Sequence, residues 1–438
     1  MKRIIALFLC MIMVIALVSC TTGSTPQTSS TSQTSSTPPG SSESPENSGS
    51  AQGIPSSQDH KTFKIGVVEL GAYEESVIRQ KYYNEYLAPY YNCVFYFSEA
   101  CGDTAAVMTF IENCADLGCD AIICYYNNDC EQLTQKCADY GMVFVQNANR
   151  NAVTESAFVG GYDNFAGTFA ANQDAVAKLF EDYLVETLDV NGQHGFIVCS
   201  GWAYVGNEQH YKISAAILSA LEKVYGLTYD EDTSAYLQSS SPINAANDKD
   251  IPIYIYPDIS ETDGWLQGMG SALQTGTYDY LMGGVAMQGS VIVDEIERAY
   301  NKNIAVISMG QLGEGLTVAF STKDMFNNSS IDMAAVKFAT PVSAMSFIQV
   351  YNTLTGYKDS LKFSSGDVAD LKFKMSAVTS LDQLEVMNGW DKGEGSWVAD
   401  LDFIDSCLGM KNEGLTGEYI QANIDELVYD NIVKRLNK

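Results

Sequence analysis

Two successive series of short apolar runs alternating with helical segments predict an α/β chain with two doubly wound parallel-sheet lobes. The runs are brief, rich in Val, Ile, Phe and Tyr, and closed by Gly or polar loops, as strands buried on both faces are. Between them lie stretches of ten or more residues with apolar positions at helical spacing, long enough to serve as crossovers.

The first series opens with Phe63–Leu70, a buried strand ended by Gly71. Glu74–Tyr91 reads as a helix, Cys93–Phe97 as a strand and Thr104–Leu117 as a helix. Gly118–Tyr126 reads as a strand, followed by the polar loop Asn127-Asn128-Asp129. The helix Cys130–Tyr140 and the strand Gly141–Val145 complete the series. A second series follows Asn147–Asn151. Ala157–Tyr162 reads as a strand, Asn164–Leu188 as a long Ala-rich helix and Gly195–Cys199 as a strand. Helices at Glu208–Tyr225, Asp263–Leu273 and Ser290–Tyr300 then alternate with strands at Ile253–Tyr256, Tyr280–Ala286 and Ile304–Ser308.

Ahead of these lies a different kind of chain. Lys2 and Arg3 precede fifteen apolar residues, Ile4–Val18, which read as a secretion signal. At about 1.5 Å per residue this run falls short of a hydrocarbon core of roughly 30 Å. Leu17-Val18-Ser19-Cys20 resembles the bacterial lipobox, which implies cleavage before Cys20 and a diacylglyceryl group on it. Two acyl chains anchor a protein stably to a membrane. An ordinary secretory signal with a chance cysteine is the plainer alternative. From Thr21 to about Asp59 the chain is mainly Ser, Thr, Pro, Gly and Gln, too polar to bury a core. It reads as a tether with an end-to-end distance of about 35 Å.

The formal charge of −29 becomes −31 once residues 1–19 are removed, which argues against nucleic acid as a partner. Nine cysteines remain in the body after Cys10 and Cys20, seven of them between Cys93 and Cys137. No Cys-x-x-Cys occurs and the chain holds three histidines, so metal or redox chemistry has little support. The thiols read as small buried hydrophobes, with one or two disulfides as the other possibility. No phosphate loop, Gly-x-Ser-x-Gly elbow, His-Glu-x-x-His or EF-hand loop is visible. The sequence therefore predicts neither an enzyme nor a cofactor.

The order of elements resembles the type 1 periplasmic-binding fold of ribose- and galactose-type solute-binding proteins of ABC importers. The resemblance is carried by Lys64-Ile-Gly-Val-Val68, by Cys119-Asp-Ala-Ile-Ile123 with Tyr140-Gly-Met-Val-Phe-Val145, and by Phe158–Asn164 with Ala166-Gly167. Ala339–Met345 and Tyr351–Gly356 extend it, so that it covers residues 63 to roughly 385. It implies a signal peptide at 1–19, a lipidated tether at 20–60, lobe one at 61–150 and 316–352, and lobe two at 151–315. Residues 353–438 would supply the third hinge crossing, near Phe373–Val378, and a C-terminal extension, with helices outside the second lobe from about 386. Gln209-His210-Tyr211-Lys212 and Met309-Gly310-Gln311 depart from the family's usual sugar-hydroxyl contacts.

Ligands of open α/β sheets bind beyond the carboxyl ends of the strands. The loops there nominate Glu69, Tyr73, Tyr126, Asn127, Asp129, Asn149 and Arg150 from lobe one, and Asp163, Trp202, Tyr204, Gln288 and Gln311 from lobe two. Aromatic faces would cover sugar C–H surfaces, while carboxylates and amides would pair hydroxyls. Asp129 and Asp163 could equally cap the helices that follow them. The resemblance implies capture of a small polar solute, a carbohydrate first, for an ABC transporter permease. The protein would be exported and held by its lipid on the outer face of the membrane. A nucleoside, or presentation of a solute to a receptor kinase, are the alternatives.

Overall fold

The computed structural model describes residues 61–147, 161–257, 263–366 and 369–436. The leader, Cys20 and the tether lie outside them. Two sheets organise the body. The first is wholly parallel, in the order β12-β5-β4-β3-β1-β2. Its strands are β1 (Phe63–Glu69), β2 (Cys93–Ala100), β3 (Ala121–Cys124), β4 (Val143–Asn147), β5 (Phe165–Ala171) and β12 (Asp370–Phe373). The second follows the order β13-β11-β10-β9-β6-β8-β7, parallel except at its two edges. It contains β6 (Phe196–Gly201), β7 (Ile243–Asn244), β8 (Ile253–Pro257), β9 (Tyr280–Gly283), β10 (Ala305–Met309), β11 (Met333–Val336) and β13 (Ser376–Val378).

Helices cover both faces of each sheet, as their apolar stripes require. On one face of the first lie α2 (Thr104–Asp116) and α3 (Cys130–Asp139), burying Val107, Ile111, Leu133 and six of the nine body cysteines. All nine are buried free thiols. On one face of the second lie α4 (Gln173–Thr187) and α5 (Glu208–Tyr225), through Phe180, Leu184, Ile213 and Ile217. A third core runs without a break from Phe63 and Tyr83 to Trp265, Leu281 and Ile404. It takes in α1 (Glu74–Lys81), which continues through a π-helical stretch to Tyr91, and α10 (Ala339–Leu354).

The chain passes between the sheets at Asn172, at Lys337–Phe338 and at Lys374–Met375. The first and third crossings are joined by Asn172 N–H donating to the Phe373 carbonyl at 2.7 Å.

Three sequence expectations change here. Residues 165–171 are a strand, not the start of a helix, and they pair in the first sheet although 151–315 had been assigned to lobe two. The reason is space: Gly167 adopts φ +128°, and a Cβ there would lie 2.2 Å from the Ala369 carbonyl oxygen. A central strand squeezed by β12 must use small residues, which a propensity reading takes for helix. Residues 316–336, assigned to lobe one, complete α9 (Glu314–Ser321) and supply β11 of the second sheet. The C-terminal extension also lies elsewhere than expected. After α11 (Leu381–Asp391), which packs on α9, the chain returns to the first lobe through α12 (Leu401–Ser406) and α13 (Gly417–Asp425). It covers an aromatic ridge that would otherwise face water. Tyr82 Oη donates to the Ala399 carbonyl at 2.6 Å, Tyr91 Oη donates to Asp405 at 2.8 Å, and Trp397 packs on Tyr82 and Tyr86. Full burial of one such ring contributes about 2–3 kcal/mol.

Candidate functional site

Strand order in the first sheet reverses at β1, whose neighbours β2 and β3 are reached in opposite directions. At such a point two loops part and leave a crevice beyond the carboxyl ends. A cavity of about 200 Å³ opens there, lined by Glu69, Tyr73, Glu75, Ser76, Arg79, Tyr125, Asn127 and Asn147. The second lobe closes it with Gln311, after β10, and Lys337, at the second crossing.

Its floor is a buried charge network. Arg79, on α1, is 3% exposed, and so is Glu69 at the end of β1. The Arg79 guanidinium pairs with Glu69 through Nη1 and with Glu75 through Nη2, the latter at 2.9 Å. Lys337 Nζ reaches the same Glu75 oxygen at 3.1 Å. The guanidinium lies 3.4 Å over the ring of Tyr125, a cation–π contact strengthened by desolvation. Beneath it the Tyr125 and Tyr83 hydroxyls are 3.1 Å apart, with Tyr83 also 2.8 Å from Ser346 Oγ.

Burial pushes Glu69 above the usual carboxylate range, against the pull of Arg79. Burial opposes the charge on Glu75 too, but Lys337 and Arg79 together hold it below that range. Among the described residues, Glu69 Oε1 makes no hydrogen bond; the Ser76 hydroxyl, near enough to help lower that carboxyl, donates to the Gly71 carbonyl at 2.9 Å. Two carboxylates face two cations, so the lining is neutral overall while offering one bare, buried acceptor.

Of the residues nominated from sequence, Glu69, Tyr73, Asn127 and Gln311 line the cavity. Asn127 is held there by Gln146, whose Nε2 donates to the Tyr126 and Asn128 carbonyls at 2.9 and 2.8 Å. Tyr126 does not line it. Side chains alternate across a sheet, so Tyr125 faces the cavity while Tyr126 packs with the thiol-rich core, its hydroxyl 3.0 Å from Thr104 Oγ1. Asp129 is exposed, at φ +53°, and its carboxylate accepts from Thr104 without capping α3. Asp163 precedes β5, at the amino end of the sheet, where its carbonyl accepts from Lys358 Nζ at 2.8 Å. It is removed from the cavity for that reason. Asn149 and Arg150 lie outside the described residues.

Trp202, Tyr204 and Gln288 do follow the carboxyl ends of β6 and β9, yet they stand outside the cavity lining. Trp202 is 36% exposed, and the Gln288 side-chain oxygen is buried without a donor. Sequence reasoning missed Glu75, Ser76, Arg79 and Lys337, and it did not single out Tyr125 and Asn147 from the loops that hold Tyr126, Asn127 and Asn149. One signal was present: Glu75 and Arg79 stand four apart on a helix, the spacing of an ion pair.

No protein-family profile matches the chain, and no curated protein does. Solved structures do match. A galactofuranose-binding protein aligns over 76% of this chain and 99% of its own, at 12% identity and a TM-score of 0.50. The fold is the type 1 periplasmic-binding fold. An ABC transporter solute-binding protein from Bacillus halodurans C-125 with bound myo-inositol aligns over 76% and 99% at 17% identity and TM-score 0.49. A 5-methylthioribose transporter solute-binding protein from Thermotoga lettingae TMO aligns over 83% and 97% at 13% and 0.47.

Proposed function

We propose that this chain is an exported, lipid-anchored solute-binding protein that captures a small neutral polyhydroxylated ligand, a carbohydrate, between its lobes and hands it to an ABC transporter permease. The observation that carries the ligand class is the bare Glu69 Oε1 in a charge-balanced cavity. A buried acceptor with no donor costs about 1–3 kcal/mol, which a ligand hydroxyl would recover. A charged ligand would upset the balance of Glu69 and Glu75 against Arg79 and Lys337. Asn127, Asn147 and Gln311 add donors and acceptors around it, and Tyr73 a half-exposed ring for a C–H face.

Ligand contacts on both sides of the cleft favour the closed form over the open one by their difference in affinity. The division into a first lobe around the first sheet, a second around the second, and a hinge at the three crossings belongs to this reading. So do the lipid on Cys20 and an extracytoplasmic location, supported by the apolar leader and its closing Leu-Val-Ser-Cys. Binding, not turnover, is the work proposed.

The test is a thermal-shift screen of residues 61–438 against sugars, polyols, nucleosides and amino acids, followed by calorimetry. A neutral sugar or polyol should raise the melting temperature, by about 3 kcal/mol of stabilisation at a hundredfold excess over Kd. Response to amino acids alone would reject the ligand class. Response to nucleosides alone would favour the nucleoside alternative, in which an aromatic ring such as Trp202 would stack the base.

A further inference from the structure

Glu74 begins α1 at the rim of the cavity, and its carboxylate makes contacts away from its own helix. Oε2 accepts the backbone N–H of Glu314, the first residue of α9, at 3.0 Å. Oε1 pairs with Lys392 Nζ, just past α11, at 3.1 Å. Helix α1 follows β1 of the first sheet, whereas α9 links β10 to β11 of the second. The carboxylate therefore ties one lobe to the other and to the C-terminal extension.

The partner position is shaped for it. Gly313 has φ +141°, and a Cβ there would lie 2.1 Å from Glu74 Oε2. An acidic first turn would serve α1 by itself. That does not explain the reach to another helix's N–H. The neighbouring Glu75 faces inward and holds Arg79 and Lys337. One helical turn thus carries the cavity network on one residue and the cross-lobe contact on the next.

We propose that Glu74 is a latch that holds the two lobes closed over the cleft, with Lys392 of the extension supporting it. Opening breaks a charge-assisted hydrogen bond to the positive end of α9. A ligand that engages Arg79 or Glu75 acts on the turn that carries the latch. The proposal takes from the solute-binding reading only that the lobes open and close, and its test needs no ligand, so a failed sugar screen leaves it standing.

The experiment is hydrogen–deuterium exchange on the full chain in detergent micelles, wild type against Glu74→Ala, Gly313→Ala and Lys392→Ala. In Glu74→Ala, exchange should speed up by about tenfold at Glu314 and at the cleft segments 69–79 and 309–317, because a hydrogen bond to a charged group is lost. Strand β6 should keep its protection, which shows the fold intact. Gly313→Ala, which strains the φ +141° backbone as well as crowding Glu74, should show at least the same pattern, and Lys392→Ala a smaller change. Faster exchange confined to the Glu314 amide would reduce Glu74 to a local cap. No change in either Glu74→Ala or Gly313→Ala would likewise overturn the latch.

Discussion

The carboxyl edges of the two sheets are built from different chemistry. The first presents buried Glu69 and Arg79 with half-buried Glu75, both carboxylates bonded to Arg79, on β1 and α1. The second presents Trp202, Tyr204, Gln288 and Gln311, aromatic and amide side chains on loops. The difference bears on how a cleft can open. A buried ion that loses its partner costs several kcal/mol, so charges are safest when all their partners ride on one body. Within this network Lys337–Glu75 alone reaches beyond the first lobe, from a crossing between the sheets, and the Glu74 carboxylate that also spans the lobes is exposed. The edge that would swing carries neutral groups, which water can satisfy at little cost.

The largest effect should come from Arg79→Met. It leaves Glu69 and Glu75 facing each other with Lys337 as their remaining cation, and breaking a buried network this way costs about 3–5 kcal/mol. Urea unfolding of the body measures it. A loss under about 1 kcal/mol would mean that water reaches the network and that the two edges differ less than described. Glu69→Gln comes next, because Arg79 keeps Glu75 and the fold is spared. Its expected effect is on the ligand: Kd should rise by about thirtyfold or more, the cost of truncating a buried hydrogen-bonded charge. Calorimetry with the ligand found by screening would show it.

Most of the architecture was legible because periodicity reports packing. The helices at Glu208–Tyr225, Asp263–Leu273 and Ser290–Tyr300 end where their apolar stripes do. What escaped was set by tertiary crowding. Gly167 and its small neighbours make β5 only because β12 passes close by, a fact about residues some two hundred positions away. The site divides the same way. Glu69 could be found at the end of the first strand, whereas choosing Tyr125 over Tyr126 needs the register of β3 to one residue. Arg79 was hidden because a polar helix gives no sign of which charge it buries.

The pH dependence separates half-buried Glu75 from buried Asp391. Glu75 is held below the ordinary range, so the folded state binds fewer protons than the unfolded one near pH 4. Its contribution is present above the unfolded value and lost as pH falls through the folded one. Glu75→Gln should therefore cost about 1.5 kcal/mol at pH 7 and progressively less below pH 4.5. Asp391, pushed up to about 6 by burial despite accepting from Ala339 N, Thr340 N and the Thr340 hydroxyl, has the opposite sign. Its contribution is full below the unfolded value and declines as pH rises through about 6. Relative to wild type, and measured from their offsets at pH 3, the melting temperature should therefore fall toward pH 8 in Glu75→Gln and rise there in Asp391→Asn.

The smallest effect is the most discriminating. Trp202 is the residue a sequence reader would choose first for stacking, since it follows β6 where the second sheet reverses its strand order. In the structure it stands outside the cavity lining. If the ligand is held by the first edge and merely covered by Gln311, Trp202→Ala should change Kd less than about twofold, within the ±0.5 kcal/mol usual for substitutions away from a site. A tenfold loss would place the ligand against the second edge. Trp202 would then have to move into the cleft on closure, and the neutral edge would hold the ligand as firmly as the charged one.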